Sequence, residues 1–495
     1  MTARSENAKN GGEPMSEHRN LTMMTDLYQL TMMYGYFRNH MAQNEGIFDM
    51  FFRPRASSTY AIVAGVESLV DYIKNLHFSE DDLDYLRSLG LFNEDFLDYL
   101  RNLRFTGEIY AMPEGTVAFP YEPLVRVKAP ICQAQLIETA LLTFMNHQTL
   151  IATKASRVCT AAEGDVVMEF GLRRAQGADA GILGARAAII GGCDSTSNVL
   201  TGQMYHIPVA GTHAHSWVMS FPDEISAFRA YAEVFPHACL LLVDTYDTLR
   251  SGVPHAIQVF RELREKGYEP LGIRLDSGDL AYLSKKARKM LDEAGFPNAK
   301  ICASSDLDET VIRDLKSQGC CINSWGVGTQ LITSGDAPAL GGVYKMSGEI
   351  VDGKLIPKMK ISDNPAKVTN PGYKTVHRLY DPQGKAIADL IALVGEKIDT
   401  TKPLTIFDPV HPYKHMTLTD FTERELLVPL FRDGKCVYDV PTLLESKAYC
   451  KREMDSMWDE YKRILNPTIY KVDLSDQLYD LKKEILSSHR EPKND

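Results

Sequence analysis

CLLLVDTYD (239–247), LGIRLDSGD (271–279) and KICASSD (300–306) are the stretches that decide the fold of this chain. Each begins with a short apolar run that is typical of a buried strand and ends with acidic residues. A helical pattern, PHAIQVFRELREKG (254–267), follows the first stretch, and another follows the second. Strands that alternate with helices predict an α/β fold with a parallel sheet, either a β/α barrel or a doubly wound sheet.

Acidic residues close the three strands at intervals of about thirty residues: Asp244, Asp276 and Asp306. Because the carboxyl ends of barrel strands meet at one mouth, three acids in register predict a shared site. The alternative is that each acid caps the helix that follows it. That alternative is strong for Asp306, since DLDE (306–309) resembles a capping box, and weaker for Asp276, since Asp279 is better placed to cap.

A glycine loop and two arginines indicate what the site would hold. GVGT (326–329) follows a strand predicted over residues 321–325, and its backbone N–H groups suit a phosphate, although a plain turn fits equally well. Arg173 and Arg174 follow another predicted strand, residues 166–170, and offer planar forks to carboxylates or phosphates; surface salt bridges are the alternative. With acids suited to Mg²⁺ and to ribose hydroxyls, the set indicates a phosphorylated-sugar site.

Two histidines stand one residue apart in YHIPVAGTHAHSWVMSF (205–221), between a strand-like piece and a helical pattern. His213 and His215 cannot share a helix face at this spacing. A metal-binding pair is possible there but is not favoured. Surface or hydrogen-bonded histidines are the better expectation for this pair on its own.

Composition limits the class of protein. A chain of 495 residues is long enough for two or three domains, and its net charge of −11 argues against a general nucleic-acid binder. Nine cysteines without a CxxC pair are typical of reduced thiols in a cytosolic protein. The polar start lacks the apolar core of a signal peptide, and no apolar run reaches the length of a membrane span. We expect residues 1–20 to be a disordered leader.

Six motifs stand in order along the chain: TDLYQLTM (25–32), EFGLRRAQG (169–177), GGCDSTSN (191–198), PVAGTHAHSW (208–217), RLDSGDL (274–280) and KVTNPGYK (367–374). With them the chain resembles the nicotinate phosphoribosyltransferases, a family of type II phosphoribosyltransferases, from about Leu21 to its C-terminal helices. The resemblance implies an irregular β/α barrel joined to a second, β-rich α+β domain built from N- and C-terminal segments. It also implies a cytoplasmic homodimer whose active sites are shared between subunits.

The pattern of predicted strands and helices and the family resemblance together divide the chain into three parts after the leader. We expect an N-terminal α+β domain over residues 21–150 and a β/α barrel with the active site over residues 151–340. A β-rich return segment with C-terminal helices is expected over residues 341–495.

The reaction that the resemblance implies is the first step of NAD biosynthesis from nicotinate. The phosphoribosyl group of 5-phosphoribosyl 1-diphosphate (PRPP) would pass to nicotinate, giving nicotinate mononucleotide and diphosphate, with Mg²⁺ as cofactor. ATP would be a co-substrate, and its hydrolysis would be coupled through a phosphohistidine. The family position for that residue, the histidine of AGTxAHSW, is His215 here. His213 stands at the variable position and receives no role, whereas Asp244 would orient the ring of His215.

The resemblance also assigns the two substrates to residues of this chain. Asp276, Asp306, Gly328 and Thr329 would hold PRPP, and Asp276 would contact Mg²⁺ indirectly. The nicotinate site would be made by Tyr28, reaching across the dimer interface, by Phe170 on the other face of the ring, and by Arg173 or Arg274 with Ser197 and Thr212 around the carboxylate.

One departure from the family and several alternatives stay open at this stage. GGCDSTSN stands where the family usually has GGFDGTSN, so Ser195 adds a Cβ at a possible helix start. The nearest alternatives are nicotinamide or quinolinate phosphoribosyltransferase. A catalytically silent nucleotide-binding relative is another, although His215, Asp276 and Arg173 are all present. A metal enzyme built on the histidine pair lacks a partner motif such as HExxH.

Overall fold

The computed structural model describes residues 19–54, 60–364 and 367–488, so most of the expected leader lies outside the described residues. The helices are α1 Leu27–Arg38, α2 Val66–Lys74, α3 Glu80–Ser88, α4 Glu94–Arg101, α5 Ile131–Leu136, α6 Glu138–Ala161, α7 Ala178–Ile190, α8 Val199–Tyr205, α9 His215–Met219, α10 Glu224–Val234, α11 Val253–Glu265, α12 Leu280–Glu293, α13 Glu309–Ser317, α14 Thr329–Ile332, α15 Leu443–Ser456, α16 Asp459–Lys462 and α17 Asp476–Ser488. A 3₁₀ turn spans Leu172–Arg174, and a π-helical turn spans Thr248–Gly252. Among the described helices, none has the length and apolarity that crossing a membrane would require.

The strands fall into several sheets. They are β1 Glu45–Phe52, β2 Ala61–Ile62, β3 Glu108–Ala111, β4 Val117–Ala118, β5 Val125–Pro130, β6 Val166–Glu169, β7 Ser195–Thr196, β8 Leu240–Leu242, β9 Gly272–Leu275, β10 Lys300–Ala303, β11 Ser324–Val327, β12 Gly342–Val351, β13 Lys354–Pro357, β14 Lys374–Tyr380, β15 Ala386–Leu393, β16 Leu404–Phe407, β17 His415–Leu418, β18 Thr422–Glu425, β19 Val428–Arg432, β20 Lys435–Cys436 and β21 Lys471–Leu474.

The β/α units form one parallel sheet, in the order β7-β6-β11-β10-β9-β8. The strands predicted from the three opening stretches are confirmed as β8, β9 and β10. The strand predicted over residues 321–325 was placed too early, because β11 begins at Ser324 and includes Gly326 and Val327. Asn323 is still part of the approach to the sheet, where its backbone and its side chain both bond to Ile301 of β10.

The two edges of this sheet are joined by the segment 207–213, which we call the connector. Val209 pairs in parallel with Thr196 of β7, and the ring of His213 accepts a hydrogen bond from the amide of Leu242 in β8. The four residue steps between Val209 and His213 span at most about 14 Å. The sheet therefore curls until its edges nearly meet, which gives an incomplete barrel with an irregular closure.

A second, β-rich unit combines both ends of the chain, as the resemblance implied. Its main sheet has the order β13-β12-β1-β5-β3-β19-β20, in which β1, β3 and β5 are N-terminal strands and the others come after the barrel. A smaller sheet, β18-β14-β15-β21, is entirely C-terminal. The fold class is therefore α/β, with the β-rich α+β unit expected from the family.

The first helix is tied to this unit by two polar contacts, of which the one made by Gln29 is buried. Gln29 donates to Glu138 over 2.9 Å, and Thr139 donates to Asp26 over 2.8 Å. These bonds give partners to two polar residues at the start of α1, the N-cap Asp26 and Gln29. They leave Tyr28 about half exposed, at 49%.

Candidate active site

The three strand-end acids are not helix caps. In each loop a second acid, two or three residues later, accepts the hydrogen bonds from the amides of the next helical turn: Asp247, Asp279 and Asp308. The capping alternative is therefore wrong for Asp306, because Asp308 takes the N-cap of α13. Asp244, Asp276 and Asp306 are left free of that structural task at the carboxyl edge of the sheet.

Asp276 is the acid at the centre of the cluster. Its Oδ1 accepts hydrogen bonds from Nη2 of Arg274 over 2.9 Å and from the hydroxyl of Ser304. Its Oδ2 lies 3.6 Å from Nε2 of His215. Burial alone would raise the pKa of this carboxyl, but the Ser304 hydroxyl and the Arg274 charge outweigh burial and lower the pKa. Asp276 is thus held as a carboxylate.

Asp244 secures the neighbouring loop. Its Oδ2 accepts hydrogen bonds from the Asp276 amide over 3.0 Å and from the Ser277 hydroxyl over 2.6 Å. Its Oδ1 is buried and has no hydrogen-bond partner among the described residues. The structure therefore differs from the expectation that Asp244 orients the His215 ring, since its carboxylate turns towards β9 and the loop after it.

His215 begins α9, with 39% of its side chain exposed. Nδ1 of its ring lies 3.1 Å from Oγ1 of Thr245. Thr245 takes the place that the sequence reasoning gave to Asp244, and it was missed although it directly follows that acid. Both ring nitrogens of His215 thus have a neighbour, a hydroxyl at Nδ1 and a carboxylate near Nε2.

Arg274 links the remaining parts of the cluster. Its Nε donates to Oγ of Ser304 and its Nη1 donates to Oγ1 of Thr212, each over 2.8 Å. The guanidinium carbon lies 5.7 Å from the centre of the Phe170 ring. Phe170, Thr212, Arg274 and Asp276, which sequence reasoning proposed separately, therefore meet at one place, together with Ser304, which it missed.

Gly326 allows the Phe170 ring to lie against β11. A Cβ at Gly326 would stand 2.6 Å from that ring, so any larger residue would displace it. The first glycine of GVGT thus belongs to the strand and not to a loop, whereas Gly328 and Thr329 follow the strand at the start of α14. Within the described residues, the amides of these last two donate no hydrogen bond to backbone.

Glu169, at the end of β6, is a further polar residue that sequence reasoning missed. Its carboxylate accepts hydrogen bonds from the Thr196 hydroxyl over 2.6 Å and from the Gly171 amide. Burial raises the pKa of this carboxyl against the effect of those hydrogen bonds. The amide of Ser197 donates to the Glu169 carbonyl oxygen over 2.9 Å, so Ser197 stands beside the strand that leads to Phe170.

Arg173, Asp306 and Tyr28 make no contact with this cluster. Arg173 is exposed in the 3₁₀ turn and has no ion pair among the described residues. Asp306 is exposed and follows Ser305, whose φ of 113° is unusual for a residue with a side chain. Tyr28 lies on α1 in the β-rich unit, where the nearby acids are Asp26 and Glu138.

The departure at Ser195 is accommodated without backbone strain. Ser195 lies in β7, pairs with Met168 and is buried, and its φ is not positive. The helix begins only at Val199, capped by the side chain of Asn198. The conformation of this loop, left open by the sequence, is thus a short strand at Ser195 followed by a helix start at Val199.

Sequence and structure comparisons agree with this architecture. The sequence models that match are the nicotinate phosphoribosyltransferase N-terminal domain (residues 23–146), the nicotinate phosphoribosyltransferase family (166–384) and the C-terminal domain (373–482). The chain is 48% identical to nicotinate phosphoribosyltransferase of Bacillus subtilis over 94% of this chain and 95% of the relative. It is 33% identical to the Homo sapiens enzyme over 93% of this chain and 95% of the relative.

A solved structure gives the same result. The crystal structure of human nicotinic acid phosphoribosyltransferase matches with a TM-score of 0.81 and 31% identity, covering 93% of this chain and 99% of that one. The resemblance first seen in six motifs is thereby confirmed, and the chain belongs to the nicotinate phosphoribosyltransferase family.

Proposed function

We propose that this chain is a nicotinate phosphoribosyltransferase that forms nicotinate mononucleotide and diphosphate from nicotinate and PRPP. The observation that carries the proposal is the cluster around Arg274, which brings Asp276, Thr212 and Phe170 together at one sheet edge. In the reaction the bond from ribose C1 to the diphosphate oxygen breaks with its electron pair, and the pyridine nitrogen bonds to C1. Carboxylates near C1 stabilise the positive charge that develops there.

PRPP is assigned to the strand-end loops. Asp276 and Asp306 would hold ribose hydroxyls, and Gly328 and Thr329 would present amides to the 5-phosphate. Mg²⁺ would neutralise the departing diphosphate when bound. The donors suit an indirect role for Asp276, since its Oδ1 is engaged by Arg274 and Ser304, whereas its Oδ2 accepts no hydrogen bond among the described residues.

ATP coupling is assigned to His215. The ring would attack the γ-phosphorus of ATP, form a nitrogen–phosphorus bond and release ADP, and later hydrolysis would return the free ring and phosphate. Partial exposure of His215 leaves it open to the nucleotide, and Thr245 and Asp276 restrict its orientation. The added negative charge beside the diphosphate site would favour binding of a divalent cation there.

Nicotinate is assigned to a site beside Phe170 and Arg274. All three nitrogens of Arg274 are engaged, but Thr212 is a neutral partner that a carboxylate can replace while the ion pair with Asp276 persists. We therefore place the carboxylate between Arg274 and Thr212, with Ser197 nearby. Arg173, which has no ion pair among the described residues, is the second candidate. A site of this charge should reject nicotinamide, which cannot pair with a guanidinium fork.

A homodimer with shared sites is part of the proposal. Leu27, Tyr28 and Met32 leave an exposed apolar strip on α1, and Val199 and Leu200 leave another on α8, close to Ser197. Docking one strip on the partner's other strip would bring Tyr28 to the nicotinate ring. A cytoplasmic location fits nine cysteines that form no disulfide.

The test is radiolabelling with [γ-³²P]ATP, in wild type and in His215→Ala. We expect acid-labile label in wild type that is absent from the variant, and ATP hydrolysis that rises when nicotinate and PRPP are both added. Label that persists in His215→Ala would overturn the phosphohistidine. Equal turnover of nicotinamide or quinolinate would favour the neighbouring activities, and a protein that forms no mononucleotide would be the silent relative.

A further inference from the structure

His213 is the motif residue to which the proposed function gives no task. The edge strand β8 pairs only with β9 in the described residues, so the amides on its other side lack a strand partner. The amide of Leu242 points to that side and donates to Nε2 of His213 over 3.2 Å. Nε2 of His213 thus accepts the hydrogen bond that a main-chain carbonyl oxygen of a neighbouring strand would otherwise accept.

The surroundings of His213 keep the ring neutral and in one tautomer. The side chain is 7% exposed, and its ring lies edge-on to Tyr231 of α10 at 4.7 Å between centroids. Burial is the main cause that lowers the pKa of His213 to about 4; a hydrogen bond to the Ala214 carbonyl oxygen opposes it, and the charges of Arg274 and His215 act in the same direction as burial. Since Nε2 accepts, Nδ1 carries the proton and donates to that oxygen, at 3.4 Å.

The connector is held at few other points. At the β7 edge the amide of Thr196 donates to Pro208 and the amide of Ala210 donates to Thr196, over 3.2 and 3.0 Å. At the β8 edge, the described backbone bonds include none between residues 207–213 and β8, so the His213 ring is the hydrogen-bonded link. Two residues later His215 begins α9 and meets Thr245, three residues beyond Leu242 on the same strand and its loop.

We infer that His213 is a positioning residue for His215: by accepting the Leu242 amide it fastens the connector to β8 and sets the His215 ring between Thr245 and Asp276. Arg274 depends on the same anchor, because its Nη1 bonds to Thr212, directly before His213. The inference rests on the proposed function, since the effect that matters most is on phosphoryl transfer to His215. His213 therefore has a structural role, which is to hold His215 in position.

The test compares three substitutions at this position. His213→Gln keeps a neutral acceptor at a similar reach, whereas His213→Asn falls short of Leu242 and His213→Leu has no acceptor. His377→Leu is the matched control, because His377 is equally buried, at 7%, but lies in β14 of the C-terminal sheet. The rate constant of acid-labile labelling by [γ-³²P]ATP is measured at a temperature where circular dichroism finds every variant folded.

We expect labelling to slow on the order of tenfold or more in His213→Leu and His213→Asn. A displacement of the His215 ring, which receives the phosphoryl group, by about 1 Å is enough for such a loss. His213→Gln should restore a rate near that of wild type, and His377→Leu should leave the rate unchanged even if it lowers stability. Labelling of folded His213→Asn at the wild-type rate, or equal losses in the Gln and Asn variants, would overturn the inference.

A second readout separates this inference from the proposed function. In ¹⁵N-imidazole NMR spectra, His213 should be a neutral Nδ1–H tautomer, and His213→Asn should move the His215 resonances while His213→Gln leaves them near their positions. If wild type takes no label from ATP, the phosphohistidine fails, and the NMR comparison still decides. His215 resonances that are indifferent to His213→Asn would then refute the positioning role.

Discussion

Two arginine–aspartate pairs in this molecule have the same chemistry in opposite surroundings. Arg274 and Asp276 meet at the mouth of the parallel sheet, with 13% and 29% of their side chains exposed. Arg378 and Asp389 join β14 to β15 and are both at 0%. Arg378 also bonds to Glu453 and to the Val117 carbonyl oxygen, so all of its partners belong to the protein.

The difference separates residues that hold the fold from residues that can exchange partners. The Arg378–Asp389 pair, which we call the sealed pair, has its hydrogen bonds filled by the protein and cannot receive a ligand unless the surrounding structure unfolds. The Arg274–Asp276 pair, which we call the open pair, also bonds to the neutral hydroxyl of Thr212 and faces the partly exposed ring of His215. Burial and the kind of partner, rather than residue type, therefore indicate which charged pair is available for chemistry.

Arg378→Met should have the largest effect on stability. The change leaves Asp389 and Glu453 buried without their cation, which costs about 3 to 5 kcal/mol in the free energy of unfolding. Urea unfolding followed by circular dichroism measures the loss. The matched variant is Arg274→Met at the open pair, where water can solvate Asp276 and the loss should be much smaller. Equal losses at the two sites would contradict the distinction.

The same contrast explains what the sequence could predict. Alternating strands and helices located β8, β9 and β10, and their shared edge brought Asp244 and Asp276 together, because strand-end position is a local property. The partners of those acids were less accessible. Thr245 directly follows Asp244, and Ser304 lies two residues before Asp306. Their partners come from elsewhere in the chain: the pairing of β10 with β9 places Ser304 against Arg274, and the connector places His215 against Thr245.

Long-range closure set the limit of prediction. The role of His213 depends on the Leu242 amide of β8, about thirty residues away, which has no strand partner among the described residues. A local sequence pattern does not indicate which side of a strand lacks a neighbouring strand. Residues 133–155 carry one continuous helical pattern in the sequence, but the structure has two helices there, α5 and α6, divided at Ile137. Gln135 and Glu138 flank that break and bond to each other, and Glu138 also bonds to α1, a contact with a distant segment.

His213 and His215 show the same contrast within one motif, because His213 is buried and His215 is partly exposed. The dependence of stability on acid pH should reveal the buried ring. His213 has a folded-state pKa of about 4, below the ordinary value of about 6.5, so the folded state favours the neutral ring. Its contribution to stability is complete above about pH 6.5 and is lost as the pH falls towards 4, by about 3 kcal/mol. The free energy of unfolding measured across this range should fall less steeply in His213→Gln. Identical slopes in the two proteins would show that the ring is not held neutral.

Arg274→Lys should affect activity more than stability. Lysine keeps the charge but cannot reach Ser304, Thr212 and Asp276 together, because these bonds use three nitrogens of a planar fork. We expect kcat/KM for nicotinate to fall on the order of a hundredfold, about 2.7 kcal/mol of transition-state stabilisation. Steady-state assays with nicotinate varied at saturating PRPP give the value. Arg264→Lys is the control and should leave kcat/KM unchanged, because Arg264 of α11 forms an exposed ion pair with Glu269 away from the site.

Ser305→Gly should have the smallest effect and the opposite sign on stability. Ser305 lies between Ser304, which bonds to Asp276, and the PRPP candidate Asp306, and its φ of 113° is a conformation that glycine adopts freely. Relief of this strain should raise the free energy of unfolding by about 1 kcal/mol. Ser305→Ala removes the hydroxyl but keeps the Cβ, so it should bring no gain. Because a more mobile loop would hold Asp306 less firmly, KM for PRPP should rise in the glycine variant alone. A rise of the same size in Ser305→Ala would assign the effect to the hydroxyl and not to the backbone.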